Sequence, residues 1–574
     1  MKIPKTGWLA VLLFAVTIAL FSKASTADFV QWDDDINIYS NEHIQGLTAE
    51  NWRWIWTDTS YVRRYIPLGW LAWAVQYQLF GPNPAAFHSF NLLLHGLSAV
   101  LLFLIIRRLL RVRFAIEKPS APLDLCAAFG ALVWALHPLR VESVAWASGQ
   151  LYCQATTFLL VSLFCYLRFC ESTRRKWFWY AVSLFSFAAS LLTYPIALFW
   201  VFIFPVLDFF PLKRLALHRN LLRDRVSSRI LLEKFPFFLA AGITLALTLL
   251  ARTHASGLWT TPVTLEKFGL AERLMQAFYV WAYFVWKNFL PLNLSPLYTS
   301  LFQIHPYDAG FITAAVFVIA TSAFLFWQRR RWPAFFALWC CYLVVMVPML
   351  GLTEHPHFTN DRYGQLSALL LAVGAAGFVW RTLSDPRAMR LAVGAAMSCL
   401  AVLALLSHEQ INPWRNTESL LQHMLVNLGT DPYRYDTHNR LALWYSQKGN
   451  APAAANQYRL SLAVRPNQLS DLTRLSMLLA TSDDPAARNG ELALDYARRA
   501  CELTHYQHPV PLLAQAAAYA ECGWYDQAIA LTEKARAIAA SKGDLKLVDL
   551  NENLLACYRC GGTFRDFTNS RKAE

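Results

Sequence analysis

Apolar stretches of membrane-spanning length recur along the chain from its start to about Ser407, separated by short polar breaks. They fall near 8–22, 90–106, 124–137, 150–168, 177–193, 196–211, 235–251, 272–290, 309–327, 333–350, 363–380 and 389–407. Beyond Ser407 the pattern changes to alternating Ala, Leu and charge. The expected fold class is all-α: a polytopic membrane helical bundle over 1–411, followed by a helical repeat domain over 412–574.

Basic clusters orient the bundle, because cytoplasmic loops concentrate Lys and Arg. Arg107, Arg108, Arg111 and Arg113 mark one such loop, and Arg174, Arg175 and Lys176 the next. Lys213, Arg214, Arg219, Arg223, Arg225 and Arg229 mark a third, Arg329 to Arg331 a fourth, and Arg381, Arg387 and Arg390 a fifth. Residues 23–89, 138–149, 351–362 and the tail then lie outside. Twelve crossings would return the tail to the cytoplasm, so 272–290, with Arg273 and Lys287 inside it, is read as interfacial or re-entrant. That leaves about eleven spans.

The tail carries a tetratricopeptide pattern. In 439–466, Leu441, Ala442, Tyr445, Gly449, Ala455, Tyr458, Ala463 and Pro466 stand at or near its offsets. Further units fall at about 469–503 and 509–539, with a weaker capping unit near 545–567. The expectation is an α-solenoid of helix pairs.

Composition agrees with a membrane protein: 56% of the 574 residues are hydrophobic, and the mean hydropathy is +0.30. The net charge of +14 does not mark a nucleic-acid binder. Residues 412–574 hold 18 basic and 17 acidic residues, so the excess belongs to the membrane part. Lys2, Lys5 and Ser25-Thr26-Ala27 imitate a cleavable signal peptide; the spans that follow favour a retained first helix. Eleven cysteines are present, those before 400 in or beside apolar segments. Cys557-Tyr-Arg-Cys560 has redox or half-metal spacing without a second pair, which favours packing.

Four external clusters could carry chemistry: Asp33-Asp34-Asp35 after the first span; Arg63-Arg64-Tyr65-Ile66-Pro67; HPLRVESVAW with His137, Arg140 and Glu142; and His355, His357, Asp361 and Arg362. A carboxylate there can take a proton from an acceptor hydroxyl, and arginines can hold a phosphate through paired hydrogen bonds. The bland readings are a solvated acidic loop, a helix ended at His137-Pro138, an Arg140–Glu142 surface pair and headgroup binding by Arg63 and Arg64. Trp52, Trp54 and Trp56 suit an interfacial helix better than a sugar-stacking surface. His355 and His357 lack zinc-ligand spacing. No cofactor is expected; a divalent metal at the acidic site is the alternative.

These motifs resemble the transmembrane-and-tetratricopeptide O-mannosyltransferases, and more closely their bacterial relatives, which are C-type membrane glycosyltransferases. The resemblance rests on Asp33-Asp34, Tyr65-Ile66-Pro67-Leu68, FHSFNLLLHG at Phe87 to Gly96, HPLRVESVAW, LLEKFPF at Leu231 to Phe237, NDRYGQLS at Asn360 to Ser367, Trp414-Arg415-Asn416 and the repeats. HPLxVESVAW is the most specific. Two departures stand out: Gly149-Gln150-Leu151-Tyr152 replaces a charged run, and Tyr194 replaces a lysine before proline.

The resemblance implies a hexosyltransferase that moves a sugar from a polyprenyl-phosphate donor to a protein or envelope acceptor outside the cytoplasm. Asp34 or Asp33 would be the base, and Glu142 would shape the acidic site. Arg362, with Arg64, would meet the donor phosphate, and His137, Arg140 and Tyr65 are candidate substrate contacts. The expected location is a bacterial inner membrane, with membrane lipid around the bundle and a periplasmic repeat domain binding the acceptor. The competing expectation is a non-catalytic membrane scaffold whose repeats recruit envelope-assembly partners.

Overall fold

The computed structural model describes residues 5–565 apart from 119, 216–223, 255–262 and 383–385. Arg219 and Arg223 of the third basic cluster lie outside the described residues. The described chain is helical; its one β-bridge is isolated, between Tyr298 and Thr359. It divides into two compact units, 1–416 and 417–574.

Seven helices in the first unit are long and apolar enough to cross a membrane, or eight if a bent pair counts as one span. The protein is a multi-pass membrane protein. The expected segments at 196–211 and 333–350 form shorter apolar helices, Pro195–Phe209 and Pro333–Val345. Prolines open both, where a missing N–H costs nothing. Segments 177–193 and 272–290 are the helices Lys176–Thr193 and Leu270–Phe289, neither among the seven. In the latter Lys287 is buried and donates to the Leu292 carbonyl at 2.6 Å.

The first loop after Lys5–Phe21 folds back onto the bundle. Thr48 caps the helix Ala49–Thr57, accepting from the Asn51 N–H. Trp54 of that helix stacks on His43, with ring centroids 4.5 Å apart, and packs against Tyr61 and Trp70; Trp52 is exposed. Trp54 and Trp56 are half-buried against the fold, while Trp52 faces outward.

The membrane unit ends later than the change of sequence pattern. Residues 412–416 belong to it because Trp414 is buried, the Arg415 carbonyl accepts from the Asp28 N–H at 2.9 Å, and Lys23 donates to Asn412 at 2.5 Å.

The second unit begins with Thr417–Leu428 and stacks the pairs Arg434–Gln447/Ala451–Val464, Leu469–Thr481/Gly490–Leu503 and Pro509–Glu521/Tyr525–Ser541, then Leu545–Arg559. Small buried residues such as Ala442, Ala455, Ala493, Ala500, Ala528 and Ala535 let paired helices approach. Gly449 and Gly523 turn the chain between partners at φ +75 and +80, a left-handed conformation that glycine adopts freely.

Candidate functional site

Residues 136–149 are the scaffold of the site. Pro138 pushes His137 into extended backbone, so the helix Ala121–Ala135 stops and the chain bends by 57° into Pro138–Ala145. The chain breaks again at Trp146 before the helix Gln150–Glu171 begins. Every residue from 134 to 157 is buried. Gly149 is required here: a Cβ would stand 2.4 Å from the Ser143 carbonyl oxygen. The buried kink aims Glu142 one way and Ser148 another.

Ser148 holds Asp34. Its N–H and hydroxyl both donate to Asp34 Oδ1, at 2.9 and 2.6 Å, while the Val30 N–H donates to Oδ2 at 2.9 Å. Asn37 donates to Ser148 Oγ at 3.2 Å, and Arg64 reaches Asn37 Oδ1 at 3.5 Å. Asp34 is fully buried, and burial pushes its carboxyl up to about 7 against the three hydrogen bonds that lower it. Asp33 is different. It takes a left-handed turn, φ +74, which an aspartate tolerates, and its carboxylate is 36% exposed, 3.9 Å from Arg64 Nη2. Asp35 starts the short helix Asp35–Tyr39.

Glu142 holds Arg362. Its Oε2 accepts from the Arg362 N–H at 2.7 Å, and its Oε1 pairs with Arg362 Nη1. Arg362 Nε donates to the Tyr152 hydroxyl at 3.1 Å, and the guanidinium lies 5.0 Å from the Trp146 ring and 5.6 Å from that of Tyr363. Tyr152 in turn packs on Tyr194 at 5.0 Å. The two departures in sequence thus form one aromatic wall beside Arg362. Nη2 of Arg362 carries no hydrogen bond among the described residues. Next to it, Asp361 is buried and accepts from the Tyr298 hydroxyl at 2.6 Å.

The fold therefore brings Asp33, Asp34, Arg64, Glu142 and Arg362 around one buried segment. Three other candidates stand apart from that cluster. His137 uses both ring nitrogens locally, accepting from the Leu139 N–H and bonding the Asn288 carbonyl at 3.1 Å. Arg140 is fully buried and spends Nη1 on the Gly364 carbonyl and Gln365, holding the start of the helix Gly364–Thr382. Tyr65 donates to the Trp56 carbonyl at 3.1 Å, within the first loop.

Ser148, Tyr152, Tyr194 and Asn37 are missing from the expected set. Only the return of 148 onto 34 gives Ser148 its role, and no spacing in the sequence carries that. His355 stacks on Phe268, and His357 bonds Glu354 and the Met349 carbonyl. Among the described residues no group of three or more His, Cys, Asp or Glu is arranged to hold a metal ion. At the acidic site Asp34 already has three protein donors and Asp33 faces a guanidinium, a poor donor set for a divalent cation.

The arrangement offers a partly exposed carboxylate, a buried carboxylate next to it in the chain, and two guanidiniums with donors left over. That suits proton removal from a hydroxyl near a phosphate.

The chain is similar to the mouse protein O-mannosyl-transferase TMTC2, 27% identical over 176 residues that cover 29% of this chain and 20% of the relative. It is 28% identical to mouse protein O-mannosyl-transferase TMTC4 over 213 residues, 32% of this chain and 27% of that protein. The human TMTC4 match is 30% over 206 residues, with the same coverage. The similarity spans only about a fifth to a quarter of the length of these curated relatives. No family profile matches the chain, and no solved structure matches it.

Proposed function

We propose that this protein is an integral-membrane glycosyltransferase that moves a sugar from a polyprenyl-phosphate donor to a hydroxyl of a protein or envelope acceptor on the non-cytoplasmic face. The observation that carries this reading is the 136–149 kink, which bonds Asp34 through Ser148 and Arg362 through Glu142. The similarity to protein O-mannosyl-transferases supports the same reaction class.

Asp33 is the base. It accepts the proton of the acceptor hydroxyl, the oxygen attacks the anomeric carbon, and the carbon–oxygen bond to the phosphate breaks. The bonding electrons leave on the lipid phosphate, where Arg362 Nη2 and Arg64 balance the charge. A phosphate leaving group needs no strong general acid, and an in-line displacement needs no covalent intermediate. Asp34 keeps the Asp33 turn in place. The repeats bind or present the acceptor.

A non-catalytic scaffold is the second reading, favoured by Tyr152 and Tyr194, which stand at the two departures from the pattern the resemblance implies. Purified protein in lipid nanodiscs, given a panel of polyprenyl-phosphate hexoses and envelope protein as acceptor, separates the two. Product formation lost in Asp33→Asn supports the enzyme; no product with any donor supports the scaffold.

A further inference from the structure

A long apolar cavity lies beside the site but carries its charge at the wrong end for it. It is an open cleft with a cavity volume of about 150 Å³ between the helices Pro84–Arg113, Gln150–Glu171, Pro195–Phe209, Pro333–Val345 and Gly364–Thr382. Its wall is hydrocarbon, from residues such as Leu110, Leu160, Trp200, Leu338 and Val373, apart from two arginines, Arg113 and Arg381. Both stand at one end, because Phe114 and Trp380, their chain neighbours, pack at 5.9 Å. Arg113 is held against the rings of Phe114 and Phe210.

Three other arginines on this side are held by carboxylates. Arg107 pairs with Asp124, Arg108 with Glu171, and Arg214 with Asp208 and Glu233. Among the described residues Arg113 and Arg381 have no carboxylate partner. The cavity mouth thus carries two guanidiniums that no carboxylate of the described residues holds. Arg362 and Arg381 stand at the two ends of one helical run, about 28 Å apart by helix rise. The hydrocarbon core of a bilayer is about 30 Å thick. The cavity mouth therefore opens at the interface opposite to Arg362.

We propose that this cavity is a binding site for an anionic phospholipid of the opposite leaflet. Its phosphate sits between Arg113 and Arg381, and an acyl chain lies along the apolar cleft. A hydrocarbon chain hung from a phosphate at Arg362 would end under these two guanidiniums, where apolar matter gains nothing. A phosphate there meets two guanidiniums, each with paired hydrogen-bonding nitrogens.

The test uses the whole protein in nanodiscs of phosphatidylcholine, titrated with phosphatidylglycerol, and reads retained lipid by native mass spectrometry and the melting temperature. Two variants separate head from tail. Arg113→Gln/Arg381→Gln removes the charges. Gly377→Leu keeps them and fills the cavity; a Cβ at Gly377 meets only Leu110, at 3.9 Å. Melting in pure phosphatidylcholine checks that both variants fold. At about 1 kcal/mol per arginine near the surface, the double variant should retain phosphatidylglycerol about thirtyfold less well. Gly377→Leu should also lose the phosphatidylglycerol-dependent rise in melting temperature. Unchanged retention by a folded form of either variant would overturn the site. So would displacement of phosphatidylglycerol from the wild type by undecaprenyl phosphate, which would give the cavity to a donor chain.

Discussion

Ser148 donates two hydrogen bonds to one oxygen of Asp34 across 114 residues of sequence. This contact ties the first loop to the kinked segment that also carries Glu142. Ser148→Ala removes the hydroxyl bond and keeps the backbone one. It should cost about 1.5–3 kcal/mol of stability, the usual range for a lost bond to a charged group, and lower transfer because the Asp33 turn loosens. Ser148→Thr, which keeps the hydroxyl, should recover more transfer than Ser148→Ala. Chemical denaturation and a transfer assay on the same preparations check both.

Asp33 and Asp34 should fail in different ways. Asp33→Asn should abolish transfer with unchanged melting temperature and donor binding, since its side chain is partly exposed and makes one long ion pair. Asp34→Asn should lower both stability and transfer, because an amide cannot accept all three donors.

Asp34 also predicts a pH dependence of stability. Its carboxyl is held near 7 in the folded protein against 3.8 in an unfolded chain. Between these values the folded state binds the extra proton, so stability falls as pH rises from about 4 to about 7 and stays low above that. The whole change is at most about 4 kcal/mol. Melting curves across that range should show the fall in the wild type and a flatter profile in Asp34→Asn.

Arg362 is predicted to serve the donor. A lysine carries its donors on one nitrogen and cannot reproduce the planar spread by which Nε meets Tyr152, Nη1 meets Glu142 and Nη2 stays free. Arg362→Lys should therefore raise the donor KM by about tenfold or more, with a smaller effect on acceptor KM. Glu142→Gln leaves a buried guanidinium without its counter-charge and should destabilise by about 3–5 kcal/mol.

Much of this was legible in the sequence, and the misses have physical causes. The helical class and the repeats follow from periodicity, which local side-chain chemistry fixes. Asp33, Asp34, Glu142 and Arg362 were legible as motif residues. The different settings of Asp33 and Asp34 were not, because they depend on one carboxylate turning outward at a left-handed residue while its neighbour turns in. His137 and Arg140 read as polar residues in an external motif, yet the kink at Pro138 draws both into the protein, where they brace backbone. Ser148 carries no signal of its own and Tyr152 stands out only as part of a departure from the family pattern; the tertiary return of the chain makes them partners of Asp34 and Arg362.

The repeat unit should separate from the chemistry. A protein ending at Asn416 keeps every residue of the site, with the boundary where the two compact units divide. It should retain donor binding and lose most transfer to the natural acceptor, provided its membrane level is unchanged. Loss of donor binding in a folded truncation would contradict this division.

The most direct test of the central claim is a single-turnover transfer assay with radiolabelled polyprenyl-phosphate hexose, comparing wild type with Asp33→Asn at equal donor occupancy. The account predicts labelled acceptor from the wild type and none above background from Asp33→Asn. Equal rates from the two proteins, or no transfer by the wild type from any polyprenyl-phosphate donor, would contradict it.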